Sequence, residues 1–153
     1  MLAYALAIAI SSQQPTGQLV FLGATRAEMQ LIEPASIRRQ GEYVLFDQVT
    51  VMSVPESFYG GRMTRAKRFF YRVDCPTHSL QASGFALLDG NGAVLADHSA
   101  GGPVGDMFRA PTGSVADKAV NMACGGEIPT AASEVFADVP SAIGGFYALI
   151  NPR

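Results

Sequence analysis

The chain contains two cysteines, Cys75 and Cys124, and this pair limits what it can fold into more than any other residues. If the two form a disulfide, the bridge closes a long loop and stabilises the fold by about 4 kcal/mol in the chain-entropy model. Neither cysteine belongs to a CxxC motif or to a Cys/His cluster with zinc-ligand spacing. Because disulfides persist mainly outside the cytoplasm, the pair predicts an exported protein; the alternative is a cytosolic protein with two buried free thiols.

The start of the chain also indicates export. Residues 2–10 form an apolar run that has the length of a signal-peptide core and is too short to span a bilayer. Small residues at the −3 and −1 positions predict cleavage after Ser11. This gives a signal peptide over residues 1–11, a flexible lead-in over residues 12–17 and a periplasmic or secreted product. No basic residue precedes Arg26, so the alternative is a buried strand or the start of a domain helix.

Length and charge narrow the class of protein further. A chain of 153 residues can bury one core without metals or several disulfides, so residues 18–153 are expected to form a single α+β domain. The net charge of −2 gives no overall field that would gather nucleic acid or an anionic membrane. We therefore expect no nucleic-acid partner and no membrane span.

Alternation of apolar and polar residues predicts an antiparallel sheet. The segment 43–54 is dense in β-branched and aromatic residues, which favour strands. Asp89-Gly90-Asn91-Gly92 is a turn sequence typical of a hairpin. The predicted strands span residues 18–22, 28–33, 43–54, 65–75, 79–88 and 93–97.

Single residues are expected to end or bend these strands. Gly23 is expected to break the first strand, Pro34 to end the second and Pro55 to end the third, because glycine and proline weaken strand interiors. The apolar positions of the third strand change parity part-way along. This change predicts a bulge or a bend near Asp47 and Gln48.

One helix is predicted after the strands. Ser114 and Asp117 have the spacing of a capping box, and Gly125 follows as a stop signal. Cys124 therefore lies in the last turn, where it can reach a neighbouring strand. The sequence predicts an α+β fold in which this C-terminal helix packs on the antiparallel sheet, with one disulfide.

The segments on either side of this helix give weaker signals. Residues 98–113 are rich in glycine and proline, which predicts a loop with little structure of its own. Residues 131–138 are expected to form a short helix cut by Pro140. Residues 141–150 fit either a helix or a strand, because an apolar helical face is interrupted by two glycines.

Several short motifs resemble those of a known family in their order and spacing. They are Ser36-Ile37-Arg38-Arg39-Gln40-Gly41, Lys67 through Val73-Asp74-Cys75, Gly90-Asn91-Gly92-Ala93-Val94, and Pro111-Thr112-Gly113-Ser114 followed by Cys124. Over about residues 18–126 the chain resembles the surface-adhesin protein E family of small exported bacterial proteins. The resemblance implies an antiparallel sheet with a helix tied to it by a disulfide, in a periplasmic or surface protein. The member that gives the family its name is an adhesin that grips host extracellular-matrix proteins, and most relatives have no known role. The chain differs in having no tryptophan and no lipidation cysteine.

The residues for catalysis or metal binding are few. His78 and His98 are the two histidines of the chain, and neither belongs to an HExxH or HxH motif. No GxSxG elbow or phosphate-binding loop accompanies them. They are interpreted as turn residues, since a site needs a constellation of groups. The alternative is a small periplasmic enzyme or metal-binding protein that uses His78 or His98.

A basic stretch is the first candidate for a binding surface. Its charges interleave with aromatic residues, a composition used for anionic partners and stacked bases. The alternative is a strand whose charges keep a sheet margin soluble. The stretch consists of Arg62, Arg65, Lys67, Arg68 and Arg72.

These observations favour a protein without enzymatic activity and without a cofactor. We expect an exported binding or structural module. Its partner would be a protein at the cell envelope or a second copy of the chain, reached through a sheet edge.

Overall fold

Eight antiparallel strands form one sheet in the computed structural model of the chain, which describes residues 17–99 and 102–152. The strands run in the spatial order β6-β5-β4-β3-β2-β1-β8, and β7 pairs with β5 beside β6. Their bounds are β1 Leu19–Ala24, β2 Glu28–Gln40, β3 Tyr43–Ser57, β4 Met63–Asp74, β5 Ser79–Leu88, β6 Val94–Asp97, β7 Val104–Arg109 and β8 Val135–Phe136. The predicted signal peptide, residues 1–11, lies outside the described residues.

Two helices pack on the sheet, one on each face. Helix α1 spans Val115–Ala123, and helix α2 spans Val139–Ile150. Ser114 caps α1 by accepting a hydrogen bond from the backbone N–H of Asp117, as predicted. Within the described residues, neither helix is long and apolar enough to cross a membrane.

A disulfide joins the end of α1 to the sheet. Cys75 directly follows β4 and Cys124 directly follows α1, and their sulfurs are 2.03 Å apart. The helix is therefore held covalently against the strands on which its apolar side packs. The α+β fold with a helix on an antiparallel sheet and one disulfide is confirmed.

The central strand β3 contributes to two separate cores. Its first half places Val44 and Phe46 in the core under α1, and its second half places Val49 and Val51 in the core under α2. These are opposite sides of the sheet, because the two pairs differ in parity. We call them the α1 face and the α2 face.

The bulge or bend was predicted within the third strand near Asp47 and Gln48; a bulge does lie next to Asp47, but it is not in β3. β3 pairs with β4 without interruption from Val44 to Val51, and the extra residues lie in β2, between Glu33 and Arg38. The parity change in the sequence reflects the change of buried face along β3.

The residues expected to end the first three strands lie within them. β1 continues through Gly23 to Ala24, with an irregular register next to it. Pro34 and Pro55 lie in the irregular stretches of β2 and β3, where ladder hydrogen bonds are interrupted and the missing proline N–H costs little. The prediction that strands end at Gly23, Pro34 and Pro55 is therefore wrong.

Two segments near the C-terminus also differ from expectation. Residues 131–138 form no helix; they contain a turn and the short strand β8, which pairs with β1. Pro140 does not end an element, because it lies in the first turn of α2, where its missing N–H has no helical partner. Asp138 caps this helix in a capping box with Ser141.

The segment 98–113 contains a strand that its own sequence did not indicate. β7 lies within it and pairs with β5, end to end with β6. Between the two, Gly84 of β5 has φ of 152° and lies so close to the 98–99 loop that a Cβ there would be 2.6 Å from the Ser99 Cα. Glycine is required at this position, and it lets His98 pack beside Phe85.

Candidate binding groove

An open groove of about 510 Å³ lies on the α1 face, next to the part that α1 covers. Cross-strand partners place its residues on this face: Gln48 lies opposite Phe69 and Thr50 opposite Lys67, in step with Phe46 opposite Tyr71. The groove is lined by Ala27, Glu28, Gln30, Gln48, Thr50, Met52, Ser53, Val54, Glu56, Lys67, Phe69 and Tyr71.

The lengths of the elements explain why this part of the face is open. α1 has nine residues and is about 14 Å long. β3 has fifteen residues and is about 50 Å long when extended. The helix therefore covers one end of the sheet, and the rest of the α1 face has no helix above it within the described residues.

Aromatic rings run across the sheet from the core into this open region. The row begins at buried Phe46, which stacks on Tyr71 with ring centroids 5.3 Å apart. It continues through Phe69 at 6.3 Å, Phe85 at 6.2 Å and His98 at 4.8 Å. We call Tyr71, Phe69, Phe85 and His98 the aromatic row. Three of these rings are half-buried and His98 is exposed, so the row presents ring surface to solvent.

A chain of polar side chains lies beside the aromatic row. Gln48 donates an N–H to the Oε1 of Gln30 at 3.1 Å, and Gln30 donates an N–H to the Oε1 of Glu28 at 2.6 Å. Gln48 and Thr50 are only 7% and 6% exposed, although both are polar. We call Glu28, Gln30, Gln48 and Thr50 the polar chain.

The charges around the groove are mostly satisfied by neighbours. Lys67 forms a salt bridge with Glu56, with 3.1 Å between Nζ and Oε2. Burial raises the pKa of Tyr71, and the nearby Glu28 carboxylate raises it further, so the phenol stays protonated at neutral pH. The groove therefore offers hydrogen-bonding groups and ring surface more than net charge.

The basic residues predicted as a binding patch are divided between locations. Lys67 lines the groove on the α1 face, whereas Arg68 and Arg72 belong to the α2 face. The four arginines each contact a neighbour: Arg62 lies over the Phe58 ring, Arg65 donates to the hydroxyl of Tyr147, Arg68 pairs with Glu33, and Arg72 donates to Gln81. Binding by this patch stays a prediction.

The two histidines lie in different surroundings. His78 precedes β5, and its Nε2 is 2.6 Å from the Oδ1 of Asp117 at the start of α1. His98 packs on Phe85 at the end of the aromatic row. Among residues 17–99 and 102–152, no three side chains of His, Cys, Asp or Glu gather as a metal site.

Sequence reasoning missed most of the groove. Gln30, Gln48 and Thr50 were not predicted to line a site, because a polar residue in a strand usually marks the solvent side. The available signal was the parity change in β3, where Gln48 and Thr50 follow Phe46 on the same face.

Asp117 gives a testable pH effect at the start of α1. It accepts hydrogen bonds from the backbone N–H of Gly113 and from His78, and these lower its pKa, with Gly113 the larger cause. Because the pKa of Asp117 is lower in the folded chain, the unfolded chain binds more protons as the pH falls below the ordinary value of 3.8. The stability that the ionised Asp117 contributes is therefore present above about pH 4 and is lost as the pH falls. We expect Asp117→Asn to lower the urea midpoint at about pH 6, with the difference from wild type shrinking near about pH 3.

The matched control for this pH test is Asp106→Asn, at an exposed position on β7. Its urea midpoint should follow that of the wild type at both pH values. If the urea midpoints of Asp117→Asn and of the wild type differ by the same amount at both pH values, the assigned role of Asp117 is contradicted.

Residues 20–125 match the sequence model of a family described as surface-adhesin protein E. The chain belongs to the surface-adhesin protein E family. The matched segment contains both cysteines, α1 and strands that carry the groove, so the resemblance inferred from short motifs is confirmed. A comparison with curated proteins finds no match.

A solved structure of a protein E has a similar fold. The structure of crystal form II of Haemophilus influenzae protein E matches with a TM-score of 0.56 and 17% identity, over 78% of this chain and 96% of that chain. At this identity the likeness concerns the fold alone. β8 and α2 lie beyond the segment of this chain that matches the surface-adhesin protein E family.

Proposed function

We propose that the chain is an exported, non-enzymatic binding module that holds a macromolecule in the groove on its α1 face. The observation that carries this proposal is the groove itself, whose aromatic and polar side chains lie on a sheet packed by helices on both faces. A surface built on paired strands is pre-organised, so little ordering free energy is lost on binding. The family, named for a surface adhesin, supports the adhesive role.

Export is part of the same proposal. The Cys75–Cys124 disulfide supports a compartment outside the reducing cytoplasm, and the apolar run at residues 2–10 supports a signal peptide cleaved after Ser11. The product would work in the periplasm or as a secreted or surface protein. Its partner would then be a molecule of the cell envelope or of a host surface.

Among the basic residues of the predicted patch, we place Lys67 in the binding surface, because it is the one that lines the groove. The arginines at positions 65, 68 and 72 already contact other side chains of the domain. The proposal therefore puts the contact on rings and amides, with Lys67 at the margin.

Retention of coated beads tests the adhesive role. Beads carrying the purified protein should be held on an extracellular-matrix layer or on isolated envelopes. Phe69→Ala should lower retention by about tenfold, because it removes a ring from the centre of the contact. The matched control is Phe108→Ala, a phenylalanine on β7 that is 49% exposed and outside the groove.

Two results would overturn the proposed function. In the first, wild-type beads are retained no better than albumin-coated beads, both on the extracellular-matrix layer and on the isolated envelopes. The other is equal retention of the Phe69→Ala and wild-type proteins, with circular dichroism showing that both are folded.

A further inference from the structure

We infer that the ligand of the groove is a neutral glycan chain, an inference that rests on the proposed function and names its partner. Among the described residues, those that line the groove bring half-buried aromatic rings and side-chain amides together in one place. Its volume of about 510 Å³ lies within the range of about 300–1,000 Å³ for sites that take small organic ligands. A short stretch of sugar rings fits such a volume.

The aromatic row supplies the apolar part of the contact. A pyranose ring has one side made of C–H groups, which packs on the flat side of an aromatic ring. Phe69 and Tyr71 line the groove, and Phe85 and His98 extend the same row toward β6. The spacing of 6.2 Å between Phe69 and Phe85 lets an extended chain touch successive rings.

The polar chain supplies the hydrogen bonds. A sugar hydroxyl both donates and accepts, so it needs neighbours of both kinds, and a side-chain amide offers two N–H donors and two lone pairs. The contacts between Gln48, Gln30 and Glu28 use one N–H of each amide, which leaves the others for a ligand. Gln48 and Thr50 line the groove and are more than nine-tenths buried, so the surrounding packing holds these polar groups in place for a ligand.

The charge of the groove favours a neutral ligand over an anionic one. Its lining contains one cation, Lys67, and that cation is paired with Glu56. Glu28 adds a second carboxylate, so the lining has a small negative excess. A sulfated glycan or a nucleic acid would instead need unpaired Arg or Lys side chains along its path.

The position of the groove in the sheet disfavours an extended peptide. Peptides that bind sheets usually pair with the backbone of an edge strand. The groove lies over β2, β3 and β4, and β3 and β4 are paired on both sides. Recognition here must come from side chains, which are the rings and amides that suit a sugar.

Titration with neutral oligosaccharides tests this inference. The probes are oligomers of glucose, mannose, galactose and N-acetylglucosamine, measured by calorimetry and by NMR shifts of the backbone amides. We expect at least one to bind, with the shifts confined to β2, β3 and β4. Two variants should each weaken the affinity for this oligosaccharide by about tenfold or more: Phe69→Leu, which keeps an apolar side chain but removes the ring, and Gln48→Ala.

Matched variants control for effects on the fold. Phe108→Leu and Gln40→Ala repeat the same substitutions at exposed positions outside the groove and should leave binding unchanged. Failure of every neutral oligomer to bind overturns the inference. So does binding of a sulfated oligosaccharide in place of the neutral ones, or binding that survives both groove variants.

A periodate treatment separates this inference from the proposed function. Periodate cleaves vicinal diols of glycans in the layer that holds the beads. Loss of retention after treatment supports the glycan. Some linkages leave no vicinal diol for periodate, so the treated layer is also washed with each neutral oligomer. Retention that persists after periodate, that no neutral oligomer displaces and that still requires Phe69 overturns the glycan and leaves the adhesive role standing.

Discussion

Replacement of both Cys75 and Cys124 by alanine is expected to lower the free energy of unfolding by about 4 kcal/mol. The disulfide joins residues 49 positions apart, so its loss gives the unfolded chain much conformational freedom. Because small domains are stable by only about 5–15 kcal/mol, this is a large share of the total. Urea unfolding followed by circular dichroism would measure the change.

Reduction provides the control for the cysteine experiment. Dithiothreitol should move the wild-type midpoint to that of the double alanine variant and should leave the variant unchanged. Similar midpoints for the oxidised wild type and the variant would show that the bridge contributes little to stability.

Phe146→Ala is expected to cost about 3–5 kcal/mol, the range for a large side chain removed from a core. Phe146 is fully buried between α2 and the sheet, in the same cluster as Leu31 and Val49. α2 lies outside the segment that matches the family, so this variant tests whether the added segment is part of the domain. Chemical denaturation should show one transition, shifted to lower denaturant.

Leu149→Ala is the matched control for Phe146→Ala, because it lies on the same helix and is 57% exposed. Its expected cost is well under that of Phe146→Ala. Equal effects of the two variants would mean that α2 adds little to the core. Two separate transitions would contradict a single domain over residues 18–153.

Features that depend on only a few adjacent residues could be predicted from the sequence. The Ser114 cap and the turn at residues 89–92 depend on local backbone chemistry and were found in place. Whether Pro34 and Pro55 end their strands could not be predicted, because this depends on where the pairing with the neighbouring strand is interrupted. β7 was missed since its pairing is supplied by β5.

The groove was hidden from sequence reasoning for a related reason. Whether a polar strand residue meets bulk water or lines a site depends on how far a helix reaches across the face. Thr50 and Gln48 share a face with Phe46, but α1 packs on Phe46 and no helix covers the other two within the described residues. The disulfide was easier to predict, because the chain has no third cysteine with which Cys75 or Cys124 could pair.

The opposed faces of β3 restrict how this chain can change in length. Val44 and Phe46 belong to one core, and Val49 and Val51 belong to the other. Inserting or deleting a single residue between these pairs would turn one half of the strand out of phase, exposing its apolar side chains and forcing polar ones under a helix. Insertions and deletions should therefore be absent from this short stretch in functional variants and accumulate in the connections between strands.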